Sequence, residues 1–250
     1  MAYHHSGILV ALLQIWLEVV LSVGHPTSQF IQSRAAYYGT PDGLGTSSGA
    51  CGYGDYGRDV MGGNVAAASQ SLYRNGVGCG ACYQVRCKNK YLCGDSGVTV
   101  VVTDHEEGNR TDFIMSPHAF KTMAKQGKDK QLKALGVVDI EHKRVPCNYS
   151  VHKMYFKINK SSIYPYYLSM VMLYQAGERD LVAVELSQGG TTDWKPMRRS
   201  YGAVWDIVMS PPKGGDIGVC LQLSGEESVY PGIGIPSHWK AGAVYCLGDW

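Results

Sequence analysis

The apolar positions of this chain fall into short runs at two-residue spacing, divided by turn residues. "CYQVRC" (82–87), "VTVVVTD" (98–104) and "GVVDIEHKRVPC" (136–147) read as strands. Between 39 and 63 the sequence is nearly all turn, "GTPDGLGTSSGACGYGDYGRDVMGG". A short helix is predicted next, with Val65, Ala68 and Leu72 on one face and Asn75-Gly76 closing it. A second begins at Ser116-Pro117, a cap followed by proline in the first turn. Phe120, Met123 and Ala124 give its buried face and Gly127 its end. Up to about residue 150 the pattern therefore predicts a mostly β unit with one or two helices. Past Cys147 the pattern changes. "MYFKINK", "YYLSMVMLYQA", "DLVAVELSQ", "IGVCLQLSG" and "AGAVYCLG" are short strands between turns, with no helical period, as in a small β-sandwich. Trp194, Trp205 and Trp239 stand among apolar strand residues or at turns and read as core.

The amino-terminal run differs in kind. "ILVALLQIWLEVVLSV", Ile8 to Val23, is short for a spanning helix and is interrupted by Gln14 and Glu18. It reads as a signal peptide over 1–24, cleaved after Gly24. No second apolar run of spanning length follows, which predicts a secreted, extracellular chain with no membrane segment in its mature form. The eight cysteines suit that compartment: six precede residue 150 and two follow 219, as in two separately closed domains. "CGAC" (79–82) lacks the second C-x-x-C of a zinc ribbon, and His105, His118, His142 and His152 show no metal spacing. No metal and no cofactor is predicted. A net charge of +2 gives no reason for a nucleic-acid partner. Tyrosines (17) far outnumber phenylalanines (4), and 31 glycines add tight turns, a profile that favours β structure with exposed rings. Asn109, Asn148 and Asn159 each open an N-x-S/T triplet and are candidate glycan sites.

Eight segments, in order, resemble a plant expansin: "AAYYGTPDGLGTSSGACGYG", "GCGACYQVRC", "VVVTD", "SPHAFKTMA", "GVVDIEHKRVPC", "YYLSMVMLYQAG", "WKPMRRSYGAVWDI" and "PSHWKAGAVY". The similarity runs from about Ala36 to the carboxyl terminus and is greatest to the expansin-like B branch. It implies a mainly β fold of two domains. Residues 48–151 would form a six-stranded double-psi β-barrel of the family-45 endoglucanase kind. Residues 165–247 would form an immunoglobulin-like β-sandwich that binds polysaccharide. The resemblance also implies three disulfides, Cys51 with Cys79, Cys82 with Cys147, and Cys87 with Cys93. The first closes a loop of roughly 28 residues, worth about 3–4 kcal/mol in the chain-entropy model. Cys220 and Cys246 fall on predicted strands of the second domain, where they form either a fourth disulfide or two buried thiols.

Four carboxylates cluster in "TDHEEGNRTDFIMS" (103–116): Asp104, Glu106, Glu107 and Asp112. Inverting hydrolysis of a glycosidic bond takes two, one as acid and one as base. By the resemblance, Asp104 stands at the family's retained strand-end aspartate. Ile114 stands at its second, and Asp112 where it carries histidine. An isoleucine donates no proton. If 112–115 is extended, Asp112 and Ile114 share a face about 7 Å apart, too far for a direct exchange of roles. Glu106 and Glu107 read as solvated turn residues. Asp104 itself reads as a residual acid rather than a catalytic one. The resemblance places Tyr37, Tyr38, Tyr167 and Tyr201 on a polysaccharide-binding surface, and puts Ala36 where a threonine is usual. The expectation is a monomeric, non-hydrolytic protein of the plant cell wall. It would bind cellulose, xyloglucan or another matrix glucan and loosen non-covalent contacts between polymers. The rivals are a weak endoglucanase or lytic enzyme using Asp104, and a binding-only or signalling wall module.

Overall fold

The computed structural model describes residues 29–106, 111–150, 153–210, 214–231 and 234–249. The predicted signal peptide, Glu107 and Asn109 lie outside the described residues. Six strands, β1 (Ile31–Tyr37), β2 (Val65–Ala68), β3 (Cys82–Cys87), β4 (Val98–His105), β5 (Phe113–Met115) and β6 (Val138–Val145), close a barrel in the order β1-β5-β2-β4-β3-β6. β1 runs parallel to β5 and β2 parallel to β4, and the other pairs are antiparallel. Ala35, Ala66, Val85, Val100, Val102, Phe113, Met115 and Ile140 fill the interior. Closure leaves no free barrel edge.

Two elements differ from the sequence reading. Val65–Ala68 is strand β2 and not the start of a helix. Alanine favours helix locally, yet all four residues are buried, and pairing with β4 and β5 overrides propensity. β1, "IQSRAAY", precedes the expected domain start at 48, because a strand held between two neighbours by its backbone needs few apolar side chains. Four short helices decorate the barrel: α1 (Asp55–Gly63, broken at Val60), α2 (Gln70–Tyr73), α3 (Pro117–Thr122) and α4 (Asp129–Ala134). α3 starts as read, with Ser116 Oγ accepting from Ala119 N–H at 3.0 Å.

The second unit holds β7 (Lys153–Ile158), β8 (Tyr167–Leu173), β9 (Leu181–Gln188), β10 (Lys195–Pro196), β11 (Arg198–Tyr201), β12 (Val204–Val208), β13 (Ile217–Leu223), β14 (Glu227–Val229) and β15 (Val244–Asp249). They form two antiparallel sheets, β10-β9-β13-β14 and β11-β12-β8-β7-β15. Phe156, Leu168, Met170, Val184, Val219, Trp205 and Trp239 form the core between them. Trp194 is half-exposed instead, its ring centroid 5.6 Å from that of Tyr230 in an edge-to-face pair.

Disulfides join Cys51 to Cys79, Cys82 to Cys147 and Cys87 to Cys93. Cys220 and Cys246 are free thiols, so the fourth pair does not form. Their strands, β13 and β15, lie in opposite sheets, which pack about 10 Å apart. A disulfide needs Cα atoms within about 7 Å.

One end of the larger sheet packs on the barrel, where Val171, Leu173 and Ala203 join the barrel's core. Asp180 pins the junction. It takes two hydrogen bonds from Arg74, at 2.6 and 2.9 Å, and one from Arg144 at 2.6 Å. Burial raises the Asp180 pKa, but the two guanidinium groups outweigh it and hold the carboxyl below its ordinary value. Rings of Tyr53, Tyr56, Tyr149, Tyr155 and Tyr174 interlock alongside at 4.9–5.7 Å.

Candidate functional site: an open surface across both domains

Barrel register sets the site. Asp104 on β4 pairs with Ala67 on β2, Ala67 with Ile114 on β5, and Ile114 with Ala36 on β1. These four residues form one row across neighbouring strands. With strands about 4.8 Å apart, Asp104 and Ile114 stand on the order of 10 Å apart between Cα atoms. Inverting carboxylate pairs are about 6.5–9.5 Å apart between carboxyl groups. A second acid at 114 would thus stand at working distance from Asp104, and the side chain there is a hydrocarbon.

Asp104 Oδ1 accepts from the backbone N–H of Ala50 at 2.6 Å and of His105 at 2.8 Å. The first bond fixes the turn 49–52 against the strand end, so the carboxylate holds backbone in place. Tyr38 and Tyr73 lie within its field. Burial, and then the Asp104 charge, push both phenols above their ordinary pKa, so both stay neutral hydrogen-bond donors. Tyr73 stacks on His105 at 4.4 Å and donates to Ala50 O at 3.3 Å.

Asp112 does not join this row. The chain bends at 112, so strand alternation starts only at Phe113. The carboxylate accepts from Ser69 Oγ at 3.0 Å and lies 3.4 Å from Nε2 of buried His142. Glu106 is exposed, as a solvated turn residue should be.

The turn from Ala50 leads directly to the second domain. Ala203 N–H donates to Cys51 O at 2.9 Å. Gly52 has φ +77, and a Cβ there would come within 2.5 Å of Val204 Cγ2 and 2.9 Å of Tyr201 Cε2. Only glycine lets the barrel turn approach β11 and β12 this closely. Tyr201 is 56% exposed at this seam. On the same outward face of the sheet, Tyr167 is half-buried and donates its hydroxyl to Asp206 Oδ2 at 3.0 Å. Arg198 grips Asp206 with two bonds, at 2.9 and 2.7 Å.

Tyr38, Asp104, Tyr201 and Tyr167 therefore lie along one surface that crosses the seam. Tyr37 is engaged differently, against the helices α3 and α4. Its ring packs 4.8 Å from Phe120, and its hydroxyl donates to Lys133 O at 3.2 Å. Tyr73, His105 and the Arg198–Asp206 pair belong to the surface and were not picked out in the sequence. The stacking of Tyr73 on residue 105 depends on α2 lying over β4, which no local pattern shows. Among the candidate glycan sites, Asn148 is exposed, whereas Asn159 is half-buried and donates its amide to Ser169 Oγ at 2.9 Å. Among the described residues no three of His, Cys, Asp and Glu gather as metal ligands, and no helix is long and apolar enough to cross a membrane.

A closed six-stranded barrel packed against a β-sandwich, with aromatic residues along the surface at their seam, defines a two-domain architecture seen in known proteins. The family model "Expansin C-terminal domain" matches residues 154–231, and the model "Lytic transglycolase" matches 65–142. The chain belongs to the expansin family: it is 42% identical over 250 residues to Expansin-like B1 of Arabidopsis thaliana, with 96% of each chain covered. It is 44% identical over 246 residues to Expansin-like B1 of Oryza sativa subsp. japonica, with 94% of each covered. The crystal structure of an apo expansin from Clavibacter michiganensis superposes with a TM-score of 0.65 at 20% identity, covering 86% of this chain and 95% of that one.

Proposed function

We propose that the protein is secreted to the plant cell wall, binds a neutral β-glucan along the Tyr38–Asp104–Tyr201–Tyr167 surface, and loosens contacts between polymers without cutting them. The observation that carries this reading is the row Asp104–Ala67–Ile114–Ala36: one acid, with a hydrocarbon side chain two strands across from it. Flat rings recognise sugars because pyranose C–H faces lie against the π cloud while the hydroxyls stay in water. Three such rings, at about 1 kcal/mol each, come to about 3 kcal/mol, a Kd on the order of 10 mM for a short oligosaccharide. Useful retention therefore requires a long polymer that engages both domains at once. The close packing at Gly52 and the Asp180 ion pairs suit such a polymer, because they bring surfaces of both domains side by side. The related bacterial expansin from Clavibacter michiganensis has been crystallised, as a single-residue variant, with cellohexaose.

Binding of Tyr201→Ala to insoluble cellulose and to soluble xyloglucan tests this reading. A loss of about 1 kcal/mol, or roughly fivefold in affinity, is expected. The melting midpoint should move by less than about 2 °C, because the ring is mostly in solvent. Unchanged retention on both polymers would place binding elsewhere.

A further inference from the structure

The barrel carries a second surface of different chemistry, and we infer that it docks an acidic wall polysaccharide, an unesterified polyuronate. Between 118 and 135 the sequence holds five lysines, Lys121, Lys125, Lys128, Lys130 and Lys133, against one acid, Asp129. These residues lie on α3, α4 and their connection. The loop after β3 brings Lys90 to the same place: Lys125 Nζ donates to Lys90 O at 2.7 Å, and Lys125 N–H donates to Leu92 O at 2.8 Å. Six ammonium groups face two carboxylates here, since Asp95 pairs with Lys90 at 3.0 Å and Asp129 lies 3.9 Å from Lys121. Six minus two leaves a local charge of +4, against +2 for the whole chain. Both pairs involve strongly exposed lysines, so they neutralise the surface weakly.

Rings are set among these charges. Tyr91 is 69% exposed, and Lys128 Nζ lies 4.3 Å from its centroid. Lys133 Nζ lies 5.0 Å from the centroid of Tyr37. A flat ring beside an ammonium group fits a repeating unit that has a pyranose face and a carboxylate on the same residue. All six cations are lysines, flexible point charges without arginine's planar fork, so they set the sign of the partner's charge while the rings beside them select a sugar face. A pocket of about 400 Å³ lined by Tyr37, Tyr38, His118, Lys121, Lys133 and Asp42, whose carboxylate is paired with Arg58, joins this face to the glucan surface at Tyr38. One molecule is thereby built to touch a neutral and an acidic polymer together. The inference takes from the proposed function only that the protein meets wall polysaccharide, and the two surfaces fail separately in the test below.

The test is retention of the full chain on immobilised polygalacturonate at about 20 mM and about 200 mM salt. The variant Lys90→Glu/Lys125→Glu/Lys128→Glu is compared with Lys153→Glu/Lys195→Glu/Lys240→Glu, which changes net charge equally but in the sandwich. The barrel variant should lose at least tenfold in retention at low salt, and the sandwich variant less than twofold. Wild-type retention should fall steeply at the higher salt and on fully methyl-esterified polymer. Xyloglucan retention of the barrel variant should be unchanged, which separates this result from any failure of the glucan surface. The matching glutamine triple variant, with a melting curve beside it, should lose severalfold while folding normally. Equal losses in both charge-reversed variants, equal retention on the methyl-esterified polymer, or DNA retained as tightly as polygalacturonate would each overturn the proposal.

Discussion

Asp180→Ala is expected to lower stability by about 3 kcal/mol, and the melting midpoint by about 6–12 °C. The carboxylate is the shared acceptor for Arg74 and Arg144, both from the barrel, while Asp180 itself opens the sandwich strand β9. Removing it leaves two guanidinium groups facing each other across a half-buried seam. The pH dependence has a definite sign. The folded pKa lies below that of the unfolded chain, which is about 3.9. The ion-pair contribution is therefore complete above about pH 4 and is lost as pH falls through the lowered folded value. Melting curves of wild type and Asp180→Asn should differ fully at pH 5–7, begin to converge below about pH 4 and draw together as pH falls further through the lowered folded value. A difference that stays constant down to about pH 2.5 would show that the pairing contributes nothing electrostatic.

Loss of the Cys82–Cys147 bridge should have an effect of similar or larger size. The bond closes a sequence separation of 65, worth about 4 kcal/mol in the chain-entropy model. The Cys87–Cys93 bridge, at a separation of 6, is worth about 2 kcal/mol by the same reasoning. The longer bridge also supports the seam. Cys147 N–H donates to Ala176 O at 2.7 Å, and Gly177, at φ +79, leaves room for the sulfur: a Cβ there would come within 2.3 Å of Cys147 Sγ. Cys82→Ser/Cys147→Ser is expected to melt about 8–16 °C lower, and Cys87→Ser/Cys93→Ser about half as far. Calorimetry of the two double variants decides this, and equal losses would remove loop length as the cause.

The sequence exposed the architecture because strand alternation and cysteine number are local signals. β3, β4 and β6 are legible as alternating runs, and Ser116-Pro117 marks a helix start by capping chemistry alone. β2 and β1 were not legible. Val65–Ala68 is strand only because β4 and β5 flank it, and β1 is placed by backbone pairing rather than by its side chains. That position 114 carries a hydrocarbon was readable from the sequence, but that it faces Asp104 across Ala67 is a property of register. Likewise Tyr37 and Tyr38 look equivalent as neighbours in sequence, whereas the fold packs the Tyr37 ring on Phe120 and sets Tyr38 within the field of Asp104. Cys220 and Cys246 show the same limit: both lie on strands, and only the sheet order reveals that they are too far apart to bond.

The most direct test of the account is the extension of isolated, heat-inactivated plant walls held under constant load, with reducing ends counted in the same bath. Purified protein should increase the extension rate with no reducing ends above the buffer control, because the strand register sets Ile114, and no acid, across Ala67 from Asp104. Steady release of reducing ends, abolished by Asp104→Asn, would contradict the account and assign the protein to hydrolysis.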